Sequence, residues 1–427
     1  MSHIQDHPLR YELANELHAR PFLALNVPSR AAYLAVKQPG NAAGRDREAD
    51  LAHLIRLLDR YGASHPQPGA THYFGEIGKH WLKWESHSEF VTYTIFADGV
   101  LERAFDPVAF ELFPQDWLDE MPGKRITSAL IRIEERPQDD EICANLGEWF
   151  VPESLVAVEV LDGAAVLAGD FRIDAAGHLR FAIFADPKIT KRRVGRIVQR
   201  VCEIETYKTM AMLGLISARS VSAQMREVGD ALSDLVKGLS GTAREAEDDL
   251  AELLALSSEL EGLTARTSFR FGATRAYEEI VHARIEVLRE VRFANRQTFV
   301  DFMTRRFDPA MRTVQAAETR LERMAARAAR AGNLLRTRVD VERSAQNQKL
   351  LESMDRRADL QLRLQETVEG FSVVAISYYA LSLVSYLAYP LSEPTGLSKG
   401  QITALLVLPV VAMVWLVVRR IKKHVVK

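Results

Sequence analysis

Three histidines and three glutamates crowd one short segment: His72, His80 and His87 with Glu76, Glu85 and Glu89. Residues i and i+2 of a strand share a face. Glu85, His87 and Glu89 therefore form one convergent set. Imidazole and carboxylate donors in that arrangement suit a divalent transition metal or, with the histidine charged, an anion. The same residues also fit the polar outer face of an antiparallel sheet with a turn at Ser86–Ser88. A second polar knot, His18, Arg20 and Pro21, offers the planar donors of arginine to an anionic ligand, or else caps a helix or pairs with an acid of its own domain. Cys143 and Cys202 are the two cysteines. They fit no metal or redox spacing and are expected to stay reduced. No phosphate loop, HExxH, GxSxG or paired CxxC occurs. No nucleophile, base and electrophile come together in sequence, so no enzymatic activity is expected. No cofactor is expected beyond a divalent cation at Glu85, His87 and Glu89.

A third pattern lies near the C-terminus. Ser372, Ala375, Tyr379, Ser382, Tyr386 and Tyr389 follow each other at three and four residues, so they share one helical face. A hydroxyl face set in lipid must meet protein or water. Two readings stand: the lining of a conduit on the axis of a symmetric assembly, or a helix-packing face with Tyr386 and Tyr389 as interfacial anchors. Glu393 is the acid of the short loop that follows.

These candidates need elements to hold them. Residues 1–190 read as a cytoplasmic α+β (α/β) domain. Leu51, Leu54, Ile55 and Leu58 repeat at helical spacing and Gly62 closes them, which predicts a helix over Arg45–Tyr61. His72–Phe96 alternates as a meander of two or three strands. Arg30–Val36 is a short apolar run, and Arg125–Glu134 is a further strand. Asp162-Gly163 sits inside the alternating stretch Leu155–Leu167 and predicts a hairpin, because that pair supplies positive φ. Phe171–Ile173 and His178–Phe184 are expected to extend the sheet.

From Lys191 on, proline nearly vanishes and Ala, Leu, Arg and Glu dominate. Residues 191–308 read as a helical region, with breaks expected near Gly238–Gly241 and Thr267–Gly272. Asp308-Pro309 is a helix start. No stop of comparable strength follows before Tyr389, so one stalk helix is expected over 309–370 and on through 371–389. Val314, Ala317, Leu321, Met324, Ala328, Ala331 and Leu335 form a coiled-coil seam. Beyond Arg338 it continues less regularly through Val341, Ala345, Leu351, Met354, Ala358 and Leu362. Its partner is either the chain's own helices or the same helix of another copy, and a homo-oligomer is the expectation. Gly241–Glu261 carries seven acids against one base, and Arg312–Arg343 eight bases against four acids. These are either solvated faces or two helices that pack together.

The stretches between Glu369 and Glu393 and between Lys399 and Arg419 hold no charge. A bilayer core of about 30 Å needs roughly 20 apolar residues as helix. This predicts transmembrane helices over 371–389 and 400–418, with 390–399 as an outer loop. The residues 419–427 form a basic tail that stays cytoplasmic. Two passes place both termini in the cytoplasm of a bacterial inner membrane. The N-terminal segment MSHIQDHPLRYELANELHARPF lacks the pattern of a signal peptide. The formal net charge of −2 argues against nucleic acid as a partner, leaving the lipid bilayer and further copies of the chain.

The chain resembles from end to end a bacterial family of membrane-anchored proteins known as a domain of unknown function. The likeness is carried by ELHARPF (Glu16–Phe22), LKWESHSEF (Leu82–Phe90), GDFRI (Gly169–Ile173), IETYKTMAML (Ile204–Leu213), RFGATRAYEEIV (Arg270–Val281) and the long run Asn333–Tyr379. It implies a topology and no biochemistry. The order of parts, an α/β body, helices, a very long helix, two passes and a basic tail, is also similar to CorA-type divalent-cation transporters. Their Gly-Met-Asn signature would fall where this chain reads YPLSEPTGLS (Tyr389–Ser398). Two functions follow as expectations: a membrane-anchored structural, regulatory or ligand-sensing module, or a CorA-like ion channel or divalent-cation transporter.

Overall fold

The computed structural model describes residues 4–11, 23–39, 44–238, 246–391 and 398–425. His18, Arg20, Pro21 and Glu393 lie outside them. Two compact units are present: Met1–Gly241 with Glu252–Ala331, and Thr242–Ala251 with Gly332–Lys427.

The first unit is built on a mixed sheet. Its strands among the described residues are β1 (Ser29–Lys37), β2 (His72–Ile77), β3 (His80–Ser86), β4 (Phe90–Asp98), β5 (Lys124–Glu135), β6 (Val156–Val160), β7 (Ala165–Gly169), β8 (Leu179–Ala185) and β9 (Val291–Arg292). They lie in the order β2-β3-β4-β1-β5-β8-β7-β6-β9. The ladder pairs are antiparallel except β5 with β8. The strands β1, β6, β7 and β8 are buried on both faces and read as nearly continuous apolar runs, whereas β2 and β9 keep exposed positions.

One face carries α1 (Arg47–Tyr61), the short α2 (Gln115–Asp119) and α3 (Asp139–Trp149). Asp46 caps α1 by accepting from the Ala49 N–H, and Gly62, at φ 62°, closes it as expected. Leu54, Leu57 and Leu58 pack on Leu34, Leu82, Trp84 and Ile95. Ile142, Leu146 and Phe150 of α3 pack on Ala157, Val166, Ala182 and Phe184.

The opposite face is covered by α4 (Lys191–Gly238). Contact is close where glycine permits it. A Cβ on Gly195 would fall 1.8 Å from the Leu23 carbonyl oxygen, and one on Gly214 would fall 2.2 Å from Thr274 Oγ1. Thr274 belongs to α5 (Ala246–Leu288). The expected break at Thr267–Gly272 is absent. Thr267 returns its hydroxyl to the Leu263 carbonyl at 2.9 Å, and Phe271 is buried, so both hold the helix rather than end it. Phe171–Ile173 likewise does not extend the sheet. Phe171 turns out at φ 52° and stacks on Phe302, 4.4 Å between centroids, in α6 (Phe299–Arg306). The Asp162-Gly163 hairpin forms, with positive φ at Leu161, Asp162 and Gly163 and a loop longer than two residues.

The long helix is continuous as expected: α7 spans Asp308–Ala388. In the first unit its seam residues Val314, Leu321, Met324, Ala328 and Ala331 are buried within the chain. Arg320 and Arg327 reach the Met225 carbonyl and Ser233 on α4. This part of the seam is therefore filled by the chain's own helices. In the second unit the start of α5 lies against α7 through the opposite charges noted in sequence: Arg343 bonds Glu247 at 2.8 Å, and Leu335 and Val339 are buried. The same unit holds α8 (Lys399–Val425). Among the described residues, two helices, α7 and Lys399–Ile421, are long and apolar enough to cross a membrane.

His53 of α1 yields a stability prediction. Its Nε2–H donates to the Trp117 carbonyl at 2.9 Å, its Nδ1 meets the Tyr93 hydroxyl at 3.1 Å, and its ring stacks on Trp117. Burial pushes its pKa down to about 4, against about 6.5 unfolded. The folded state thus resists protonation, so stability is full above pH 6.5 and falls as pH drops from 6.5 towards 4. The loss reaches on the order of 3 kcal/mol. His53→Gln should flatten the melting-temperature profile across that window while lowering the melting temperature at pH 7.5.

Candidate functional site

The β3–β4 hairpin brings its charges inward. Leu82 and Trp84 face α1, so Lys83 and Glu85 face α4. Register places Lys83 opposite Thr94 and Thr94 opposite Tyr33; Glu85 lies opposite Thr92. A polar stripe therefore runs across three strands under α4. Cys202, Thr206 and Tyr207 descend onto it from one side of that helix. Tyr33 and Thr206 share a hydrogen bond. Glu205, 2% exposed, accepts from Thr127 at 3.1 Å and Thr209 at 2.9 Å and pairs with Lys208 at 2.8 Å.

Between these groups lies a cavity of about 30 Å³, lined among others by Tyr33, Lys83, Glu85, His87, Cys202 and Tyr207. That is room for about two water molecules. Lys83 and Glu85 stand 3.0 Å apart with side chains 11% and 12% exposed. Lys83 Nζ is close enough for an ion pair but outside hydrogen-bond geometry. The Cys202 thiol and the Tyr33 hydroxyl are both pushed up by burial. At neutral pH both are uncharged, so Cys202 behaves as a small apolar wall and not a nucleophile.

The hairpin loop holds Glu89, which is 1% exposed. Its carboxylate accepts from both terminal nitrogens of Arg270 and from the Tyr277 hydroxyl at 2.8 Å. Burial, then Glu89, raises the Tyr277 pKa. Tyr277 packs on Tyr207 at 5.5 Å, and His87 stacks on Phe90 at 4.4 Å and lies nearly perpendicular to Tyr207. Tyr207, which lines the cavity, thus meets the Glu89 pair through Tyr277.

The structure brings Glu85, His87 and Glu89 to one hairpin end but gives them separate surroundings. Glu85 and His87 line the cavity, and Glu89 is held by α5. The face is covered by α4 and is not an outer sheet surface. Among the described residues no group of three His, Cys, Asp or Glu is placed to hold a metal ion. His72 lies opposite Glu85, and His80 is at the far end of β3 with its pKa lowered by burial.

The hydroxyl face is also placed. Ser372 and Ser382 return their hydroxyls to the Val368 and Tyr378 carbonyls, while Tyr379 and Tyr386 are 72% exposed. The buried positions of this stretch are instead Ser377 and Ser385.

Tyr207, Arg270 and Tyr277 escaped the reading of residue types, because their partners are far away in sequence, and Lys83 escaped it because the reading took only histidines and glutamates, although its partner Glu85 is two residues away. They lie in three of the stretches that carry the family likeness, Leu82–Phe90, Ile204–Leu213 and Arg270–Val281, and these three converge here. A mixed sheet with long helices, a polar cavity beneath them and two apolar helices define an α+β protein with candidate membrane spans. The chain belongs to the family described as protein of unknown function (DUF3422), which matches residues 5–425. No curated protein and no solved structure matches it, so the likeness to CorA-type transporters rests on the order of parts alone.

A buried pair missing one partner is costly, whereas replacing both by apolar groups is nearly neutral. Lys83→Met should destabilise the protein by about 3 kcal/mol, and the double change Lys83→Met/Glu85→Leu should recover most of it. Chemical denaturation of the three variants measures this.

Proposed function

We propose that this protein is a membrane-anchored cytoplasmic module that senses a small polar ligand in the Lys83–Glu85 cavity. The observation that carries the reading is the route leading away from the cavity. The hairpin is tied to α5 by Glu89, Arg270 and Tyr277. α5 is tied to the start of α7 by Arg275 with Glu318 at 2.8 Å and by Gln315 with Glu278 at 3.1 Å. α7 then continues as one helix to Ala388. A change at the hairpin has a mechanically stiff path along these helices. The two apolar helices sit in a bacterial inner membrane in this reading, with Arg419 and Arg420 on the cytoplasmic side.

The ligand carries a charged or strongly polar head small enough for a site that holds about two waters. A paired ammonium and carboxylate offer both donors and acceptors to it. Full-length protein in mild detergent should show this by thermal shift with ammonium, methylammonium and formate as probes. A ligand at one hundred times its Kd stabilises by about 2.7 kcal/mol. At least one probe should raise the melting temperature of wild type and leave Lys83→Met unmoved. It should also slow hydrogen exchange in residues 308–331. No shift with any probe would contradict the reading.

A further inference from the structure

Among the described residues, the stretch of α7 before its apolar end is left without cover. Every residue from 343 to 368 is exposed, a length of about 39 Å. Leu350, Leu351, Met354, Leu360, Leu364 and Val368 are each more than half exposed, and Phe371 follows at 71%. A helix bare on all sides in water gains nothing from packing and is marginal by itself.

The placement of its charges shows which side is meant to be covered. With Leu350 at position d of a heptad, Met354, Gln361 and Val368 fall at a, and Arg357, Leu364 and Phe371 at d. Between Asn347 and Phe371 there are nine charged residues: Lys349, Glu352, Asp355, Arg356, Arg357, Asp359, Arg363, Glu366 and Glu369. Eight of them fall at the outer positions b, c and f. The exception is Arg357 at d; in this register Leu362, 61% exposed, leaves the seam expected from sequence and falls at outer position b. Positions e and g hold Leu351, Ala358, Gln365, Ser353, Leu360 and Thr367, all uncharged. The outer charges answer each other along the helix, as Arg363 and Asp359 do at 3.4 Å. They leave no charge of one sign for a foreign partner to match.

We propose that residues 347–371 pack against the same residues of other copies as a parallel bundle, through the face of positions a, d, e and g. Parallel orientation rests on the reading of the apolar helices as membrane spans, since copies inserted alike present this segment side by side at one height. In two-stranded coils the e and g positions carry the charges that choose the partner. Here they are neutral and partly apolar, which gives a face wide enough for two neighbours and a bundle of three or more. The Arg357 and Gln361 layers form a polar middle that fixes the register and weakens the bundle.

Single cysteines in the full chain, in native membranes and with Cys143→Ser, test this. Cys202 is buried and stays. Leu350→Cys and Leu364→Cys should form disulfide-linked copies rapidly, because facing d positions come within disulfide reach. Glu352→Cys and Glu366→Cys should not. Arg357→Leu removes a buried charge and should keep the assembly intact to about tenfold greater dilution in detergent. Particles of at least three chains are expected. Equal cross-linking at outer and inner positions, none at any, a mixed disulfide with a different protein, or particles of two chains would overturn the proposal. Extraction with alkaline carbonate reads the membrane step separately: chains that wash off yet cross-link at 350 and 364 refute the anchor and keep the seam.

Discussion

A carboxylate with 1% exposure has to be fully paired, and the pairing of Glu89 sets the geometry of the first unit. Leaving one such charge unmatched in a protein interior costs several kcal/mol. Arg270 meets it with a planar fork and Tyr277 with a hydroxyl, 181 and 188 residues further along the chain. Those contacts lock the β3–β4 hairpin to α5. With Gly214 and Thr274 in close approach, α5 is in turn locked to α4. α4 then has one place to lie on the sheet, and the Lys83–Glu85 cavity is what remains beneath it. Apolar burial alone is non-directional. The buried ion pair supplies register, which is a role better supported for such pairs than net stability.

Much of this fold was legible in the sequence where the signal was local. Alternation marked β2 to β4, Gly62 marked the end of α1, Asp162-Gly163 marked a hairpin, and Asp308-Pro309 marked the start of α7. Each depends on residues within a few positions of one another. Readings failed where distant partners decide. Thr267 and Gly272 look like a break, but a back-bonded threonine and a buried Phe271 carry the helix through them. Phe171–Ile173 has strand composition, yet the aromatic rings of α6 draw Phe171 out of the ladder. Glu85, His87 and Glu89 stood out by their types as one set, but the fold divides them: Glu85 is answered by Lys83 on its own strand, while the guanidinium and phenol that answer Glu89 come from a distant part of the chain.

α7 illustrates how one helix changes its task along its length. Up to Val339 its apolar repeat is consumed inside the chain. From Asn347 its charges retreat to one side and expose a neutral face. From Phe371 it loses charge altogether. No cap or proline separates these regions, so the divisions are visible only in which residues are apolar and which face they occupy.

The claim that the Glu89–Arg270 pair organises the first unit is tested most directly by a double-mutant cycle, with unfolding free energies measured for wild type, Glu89→Gln, Arg270→Met and the double variant. Residues coupled in one network show interaction energies of about 0.5–3 kcal/mol, and a buried bidentate pair belongs at the upper end. A coupling of about 2 kcal/mol or more, with each single change costing more than the double change adds, is the expected result. Additive effects, with a coupling below about 0.5 kcal/mol, would contradict it and leave the hairpin held by apolar packing.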